Sequence, residues 1–142
     1  MQYKKTYAGF VIWLVIYLAI LMLLSIVPGL IFKDDIEAHM DLYIRIIDNA
    51  GLLLLLPLLY YIYRTGYIYL FSGMTYERAC EAGIYRCKSY ARRHLLLFGG
   101  FAIASLILSG MLQILHQPWW VDFSFFCIGL VAICVRAMFF KL

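Results

Sequence analysis

Side chains able to move protons or bind anions gather at two levels of this chain. His39, Asp41, Arg45, Asp48 and Asn49 precede or open one apolar run. Gln113 and His116 close another, and Asp122 opens the last. A His/Asp/Arg set at one depth could do acid–base or phosphate chemistry. Their spacing matches no catalytic motif, and helix caps and loop polarity account for the same residues, so no catalytic residue is assigned. Arg64 and Arg136 each lie inside an apolar run, near one end of it. They could form a basic site for a lipid phosphate or another anionic ligand, or simply extend their guanidinium groups to the headgroups.

The third constellation is Cys80, Cys87 and His94, at a spacing of seven. On one straight helix such residues stand about 10.5 Å apart. Zinc ligands lie only about 2.0–2.3 Å from the metal, so this stripe cannot chelate by itself. No metal site is expected from it; small buried packing residues are the simpler reading. Cys127 and Cys134 fall inside the last apolar run, and no cysteine lies in a loop assigned below to the outer side. That excludes membrane enzymes that form disulfides with outer-side thiols. No Asp or Glu lies at the centre of an apolar run, which counts against proton-coupled export through a membrane carboxylate. No phosphate-loop or quinone-site pattern occurs, and no cofactor is expected.

The elements that position these residues follow from composition. The chain has 142 residues, 65% hydrophobic and 14% charged. A soluble domain carries about 45–50% apolar and about 25% charged residues. The apolar residues also come in long blocks, and about 20 of them in helix cross the hydrocarbon layer. The expected fold is therefore all-α: one polytopic membrane domain, 1–142, with four transmembrane helices arranged as two hairpins. The spans are placed at about 8–32, 46–68, 95–115 and 122–140. The first is too long for a signal-peptide core and lacks a small-residue cleavage pattern, so it reads as a retained helix. Pro28-Gly29 is expected to kink or fray its last turn, and Pro57 to kink the second span.

Short amphipathic surface helices are expected in the first and second loops. In the first, Asp34 or Asp35 could supply a cap, and Ile36, Met40, Tyr43 and Ile47 share a face. In the second, Ser72-Gly73 breaks the chain and Thr75 can cap a helix that runs towards His94. Tyrosines 60, 61, 63, 67 and 69 suggest an interfacial belt, and Trp119 and Trp120 an interfacial anchor. On the third span Gly99, Gly100, Ala102, Ala104, Ser105 and Ser109 are small residues at helical spacings, which favours close helix packing.

Charge then sets orientation. With the N-terminus inside, Lys4, Lys5, Arg64, Arg78, Arg86, Lys88, Arg92, Arg93, Arg136 and Lys141 face the cytoplasm, against only Lys33 and Arg45 outside. The positive-inside rule selects this arrangement, with both termini cytoplasmic. Arg78, Arg86, Lys88, Arg92 and Arg93 are expected to hold anionic headgroups and fix the topology. A bacterial cytoplasmic membrane suits so compact a chain. The net charge of +4 is not a nucleic-acid signal, because the basic residues sit at membrane boundaries.

The expected partners are a bilayer with anionic headgroups and a membrane-protein partner or a second copy of the chain. The expected role is a non-enzymatic accessory subunit or homo-oligomer that works by helix–helix association. A transporter or channel component, exploiting the Pro and Gly breaks, is the alternative. A lipid-modifying enzyme using the His/Asp/Arg set is the second alternative.

Overall fold

The computed structural model describes residues 5–31, 36–70 and 74–142. Its regular elements are all helical: α1 (Ala8–Ile31), α2 (Ile36–Thr65), a 3-10 turn (Ile68–Leu70), α3 (Tyr76–Ala82), α4 (Ile84–Ile114) and α5 (Trp119–Met138). Helices α1, α2, α4 and α5 are each long and apolar enough to cross a membrane. Backbone groups in hydrocarbon must find partners within the chain, and a helix supplies them locally. The readings that placed a cap at Asp34 or Asp35 and a break at Ser72-Gly73 fall outside the described residues. Helix α1 runs through Pro28 and Gly29 to Ile31.

Helix α2 is the centre of the molecule. It packs on α1 along one side and on α4 and α5 along the other, and α4 also packs on α5. Leu52 and Leu59 of α2 meet Phe98 and Ala102 of α4, with Phe126, Leu130 and Ile133 of α5 closing the cluster. A second cluster joins Leu58 and Ile62 to Ile68 and Tyr69 of the 3-10 turn, Ala79 of α3, and Cys87, Tyr90 and Ala91 of α4. Phe140 and Leu142 pack against this cluster too, so both ends of the described chain lie at one end of the molecule. Among the residues of α1 whose burial is described, none is buried in either core. Helix α1 is held by a few specific contacts and leaves Val11, Val15, Leu18, Met22 and Leu23 exposed.

Four element limits differ from those read in the sequence. First, α2 begins at Ile36 and not near 46, so the helix read in the first loop is the start of α2. Second, the segment from Thr75 to His94 is not one helix. Thr75 caps α3, accepting from the Arg78 N–H at 3.3 Å. Gly83 then adopts φ 77°, a left-handed value natural to glycine, and ends α3. Residues from Ile84 onwards are the first turns of α4, so the third long helix starts well before Leu95. Third, α2 ends at Thr65 and not near 68, because Gly66 takes φ 78°. Fourth, α5 starts at Trp119, directly after Pro118, so both tryptophans are helical and not part of the turn. Pro118 is the N-cap, with φ −64° and extended ψ, and no intrahelical bond calls for an amide hydrogen at that place.

Pro57 lies within α2, which continues past it. It offers no N–H to the carbonyl of Leu53, and its ring crowds that turn. The neighbouring carbonyl, that of Leu54, accepts a 2.8 Å hydrogen bond from the Trp13 indole of α1. The proline thus coincides with the point where α1 is tied to α2.

Candidate functional site: a buried arginine–aspartate cluster

The site lies where α2, α4 and α5 meet, at the end of the molecule away from the chain termini. Arg45 is 4% exposed and Asp122 6%, burial that charged side chains reach only when paired. Arg45 Nη1 lies 3.1 Å from Asp122 Oδ2. The same nitrogen donates to the Ser109 carbonyl at 3.2 Å, and Nη2 donates to the Gln117 carbonyl at 2.5 Å. Ser109 Oγ donates to Asp122 Oδ2 at 2.6 Å. One turn along α2, Asn49 Nδ2 donates to the Arg45 carbonyl at 2.8 Å, and its Oδ1 accepts from Ser105 Oγ at 3.0 Å. Ser105, Ser109 and Asn49 are all buried.

Local sequence explains each placement. Arg45 and Asn49 are four apart on one face of α2, and Ser105 and Ser109 are four apart on the facing side of α4. Asp122 falls in the first turn of α5, where the partial positive charge of the helix start favours a carboxylate. The turn between α4 and α5 is closed by backbone bonds from the His116 and Gln117 amides to the carbonyls of Gln113 and Leu112. His116 has φ 51°, and that turn points the Gln117 carbonyl at Arg45. Arg45 Nε is the one buried side-chain donor among the described residues without a partner.

The sequence-derived polar set therefore divides. Arg45, Asn49 and Asp122 converge, and Ser105 and Ser109, read only as packing residues, complete their network. Asp41, Asp48 and His39 lie half-buried on α2, His39 about 9 Å before Arg45 along the axis. Gln113 and His116 are exposed. An ion pair this deeply enclosed is suited to locking three helices in register. A catalytic acid or base must instead come within hydrogen-bond reach of substrate.

The small residues of α4 also divide. Ala102, Ser105 and Ser109 are buried against the neighbouring helices, and Gly99 is half-buried. Gly100 and Ala104 are exposed, and a Cβ at Gly100 would meet nothing within 4 Å. At Gly129 of α5, by contrast, a Cβ would meet the Phe101 ring at 2.5 Å. That glycine marks the close approach of α4 and α5, and the sequence reading passed over it.

At the opposite end, aromatic side chains hold the termini. Tyr69 is buried, and its ring packs edge-on against Tyr7 and Tyr76 and beside Tyr67. Its hydroxyl donates to the Thr6 carbonyl at 3.0 Å and accepts from the Thr6 N–H at 3.1 Å. Burial pushes the Tyr69 phenol above its usual range, although the Thr6 hydrogen bond pulls it down. Lys5 Nζ lies 6.0 Å from the Tyr7 ring centroid and 5.7 Å from that of Tyr76, at the outer edge of a cation–π contact. Of the tyrosines read as a belt, Tyr60 is exposed, Tyr61, Tyr63 and Tyr67 are half-buried, and Tyr69 belongs to the core.

Cys80, Cys87 and His94 do not share one helix, because Gly83 divides them. Cys80 is exposed on α3, whereas Cys87 and His94 are buried on α4. Cys87 Sγ donates to the Ala79 carbonyl at 3.3 Å, tying α4 to α3. His94 Nδ1 lies 3.0 Å from the Tyr90 carbonyl, and its ring meets Phe140 edge-on. Arg64, Arg78, Arg86, Arg92, Arg93 and Arg136 are exposed and Lys88 is half-buried. No family model, curated protein or solved structure matches this chain.

Proposed function

We propose that this chain is a small integral membrane protein without catalytic activity, acting as an accessory subunit or homo-oligomer through helix–helix association. Its four long helices cross the bilayer as two hairpins, with both termini on the cytoplasmic side. Helix α3 and the first turns of α4 lie at the headgroup level, where Arg78, Arg86, Lys88, Arg92 and Arg93 meet anionic lipids. The membrane is a bacterial cytoplasmic membrane.

One observation carries the reading: α4 keeps Gly100 and Ala104 on a face that the chain's own packing leaves open. Small residues four apart let two helix backbones approach closely in a bilayer. Arg45, Asn49 and Asp122, three of the polar residues that could have served chemistry, are instead engaged with one another and with Ser105 and Ser109 between α2, α4 and α5.

Crosslinking of the full chain in native membranes tests this. The wild type is expected to give a defined adduct, with itself or with another membrane protein. The Gly100→Leu/Ala104→Leu double variant should lose that adduct while its thermal unfolding in detergent stays within about 0.5 kcal/mol of wild type. A strictly monomeric wild type without a partner overturns the proposal.

A further inference from the structure

Helices α1 and α2 do not close against each other along their whole length. Between them runs a trough of about 290 Å³, walled by Ile12, Trp13, Ile16 and Tyr17 on one side and Pro57 and Tyr61 on the other. Its surface is hydrocarbon and ring carbon. The Trp13 indole N–H is already committed to the Leu54 carbonyl. Gly9 lies at one end, where a Cβ would strike the Tyr61 ring at 2.6 Å. There the two helices touch. No residue of α1 whose burial is described is buried, and among the described residues only α1 and α2 line the space.

Charge indicates what fills it. On α2 the lining positions 54, 57 and 61 follow helical spacing, and the next position on that face is Arg64. Arg64 is exposed, in the last turn of α2. That end of the molecule also carries Lys5, Arg78, Arg86, Lys88, Arg92, Arg93, Arg136 and Lys141, against only Glu77 and Glu81. A hydrocarbon trough in register with a cation, at the positive end of the molecule, is complementary to a lipid with a negative headgroup.

We propose that the trough between α1 and α2 binds one acyl chain of an anionic phospholipid, whose phosphate is held by Arg64. The inference shares the membrane placement proposed above but is independent of the Gly100/Ala104 face. Loss of helix association would leave it standing.

The test uses the full chain reconstituted in phosphatidylcholine bilayers. These contain a small fraction of either phosphatidylglycerol or phosphatidylcholine bearing a photoreactive diazirine on one acyl chain. Labelled residues are read by peptide mass spectrometry. Trough residues Trp13, Tyr17 and Tyr61 are expected to label several-fold more than Ile103 and Ile107, which lie on the open face of α4. The phosphatidylglycerol probe should exceed the phosphatidylcholine probe at the trough by about fivefold, the preference that one surface cation gives.

Ile12 and Ile16 are 61% and 51% exposed, so Ile12→Trp and Ile16→Trp fill the trough without disturbing a core. Each should cut trough labelling several-fold and leave Ile103 and Ile107 unchanged. Arg64→Gln should abolish the preference for the anionic probe while acyl labelling persists. Equal labelling of the trough and the α4 face, equal labelling by the two probes in wild type, or indifference to Ile16→Trp overturns the proposal. So does a covalent dimer joined through α1, which would give the trough to a second copy.

Discussion

Asp122 brings a negative charge to a buried position where Arg45 Nη1 and Ser109 Oγ both donate to the same oxygen. Taking two charges out of water is costly, and their attraction offsets that cost only while both are present. Asp122→Ala leaves the Arg45 guanidinium buried against two carbonyls and is expected to cost about 3–5 kcal/mol, read as a lower unfolding midpoint in detergent. Arg45→Leu should do comparable damage, by leaving the carboxylate uncompensated. The double variant Arg45→Leu/Asp122→Leu should recover most of that loss, because an apolar pair of similar size is often no worse than a buried ion pair. Additive losses would show that the two residues act separately and remove the lock. Ser109→Ala removes a single donor and should cost about 1–3 kcal/mol.

At the level of elements, two contacts place the outer helices on α2 and α4. The first is the Trp13 indole on the Leu54 carbonyl, beside Pro57. Hydrogen bonds between membrane helices average about 0.6 kcal/mol and reach about 1.7. Trp13→Phe should therefore lower stability by that order; a change confined to α1, seen as faster amide exchange there, is the expected signature. The second is Gly129 under Phe101. Gly129→Leu forces a side chain into space that the ring occupies and should destabilise by about 1–3 kcal/mol through overpacking. Gly100→Leu, on the open face of α4, should not. If both glycine variants unfold alike, the α4–α5 contact is not where this structure puts it. Gly83 acts differently: its left-handed φ turns α3 away from the axis of α4, and the Cys87 thiol on the Ala79 carbonyl holds the bend.

For the molecule as a whole, the described basic residues other than Arg45 cluster at the end where both ends of the described chain lie. That segregation predicts a single orientation in the bilayer. Cys80 is an exposed thiol at that end and serves as a native reporter for a membrane-impermeant maleimide. In cells, wild type should label only after the cytoplasmic side is opened. Changing Arg86, Lys88, Arg92 and Arg93 together to Gln should produce molecules of mixed orientation, so that a fraction labels from outside. An unchanged accessibility pattern would take the topological role away from this segment.

Hydrophobic blocks of membrane-spanning length dictate helices, because no other open backbone can satisfy its polar groups in hydrocarbon. Four such blocks, their order, and the separation of Arg45 and Asp122 from the basic residues were therefore legible along the chain. The Thr75 cap was legible too, since it depends only on neighbours. The rotation of each helix about its axis was not, for apolar residues cover nearly the whole circumference of α1 and of α4 beyond His94 and leave no single face marked for the core. Packing against α2 turns Ala102, Ser105 and Ser109 inwards and Gly100 and Ala104 outwards. The same rotation brings Arg45 to Asp122, leaves His116 at the surface, and opens the trough beside Trp13. Contacts between residues 77 apart in the chain depend on how whole helices fit together, which no local spacing encodes.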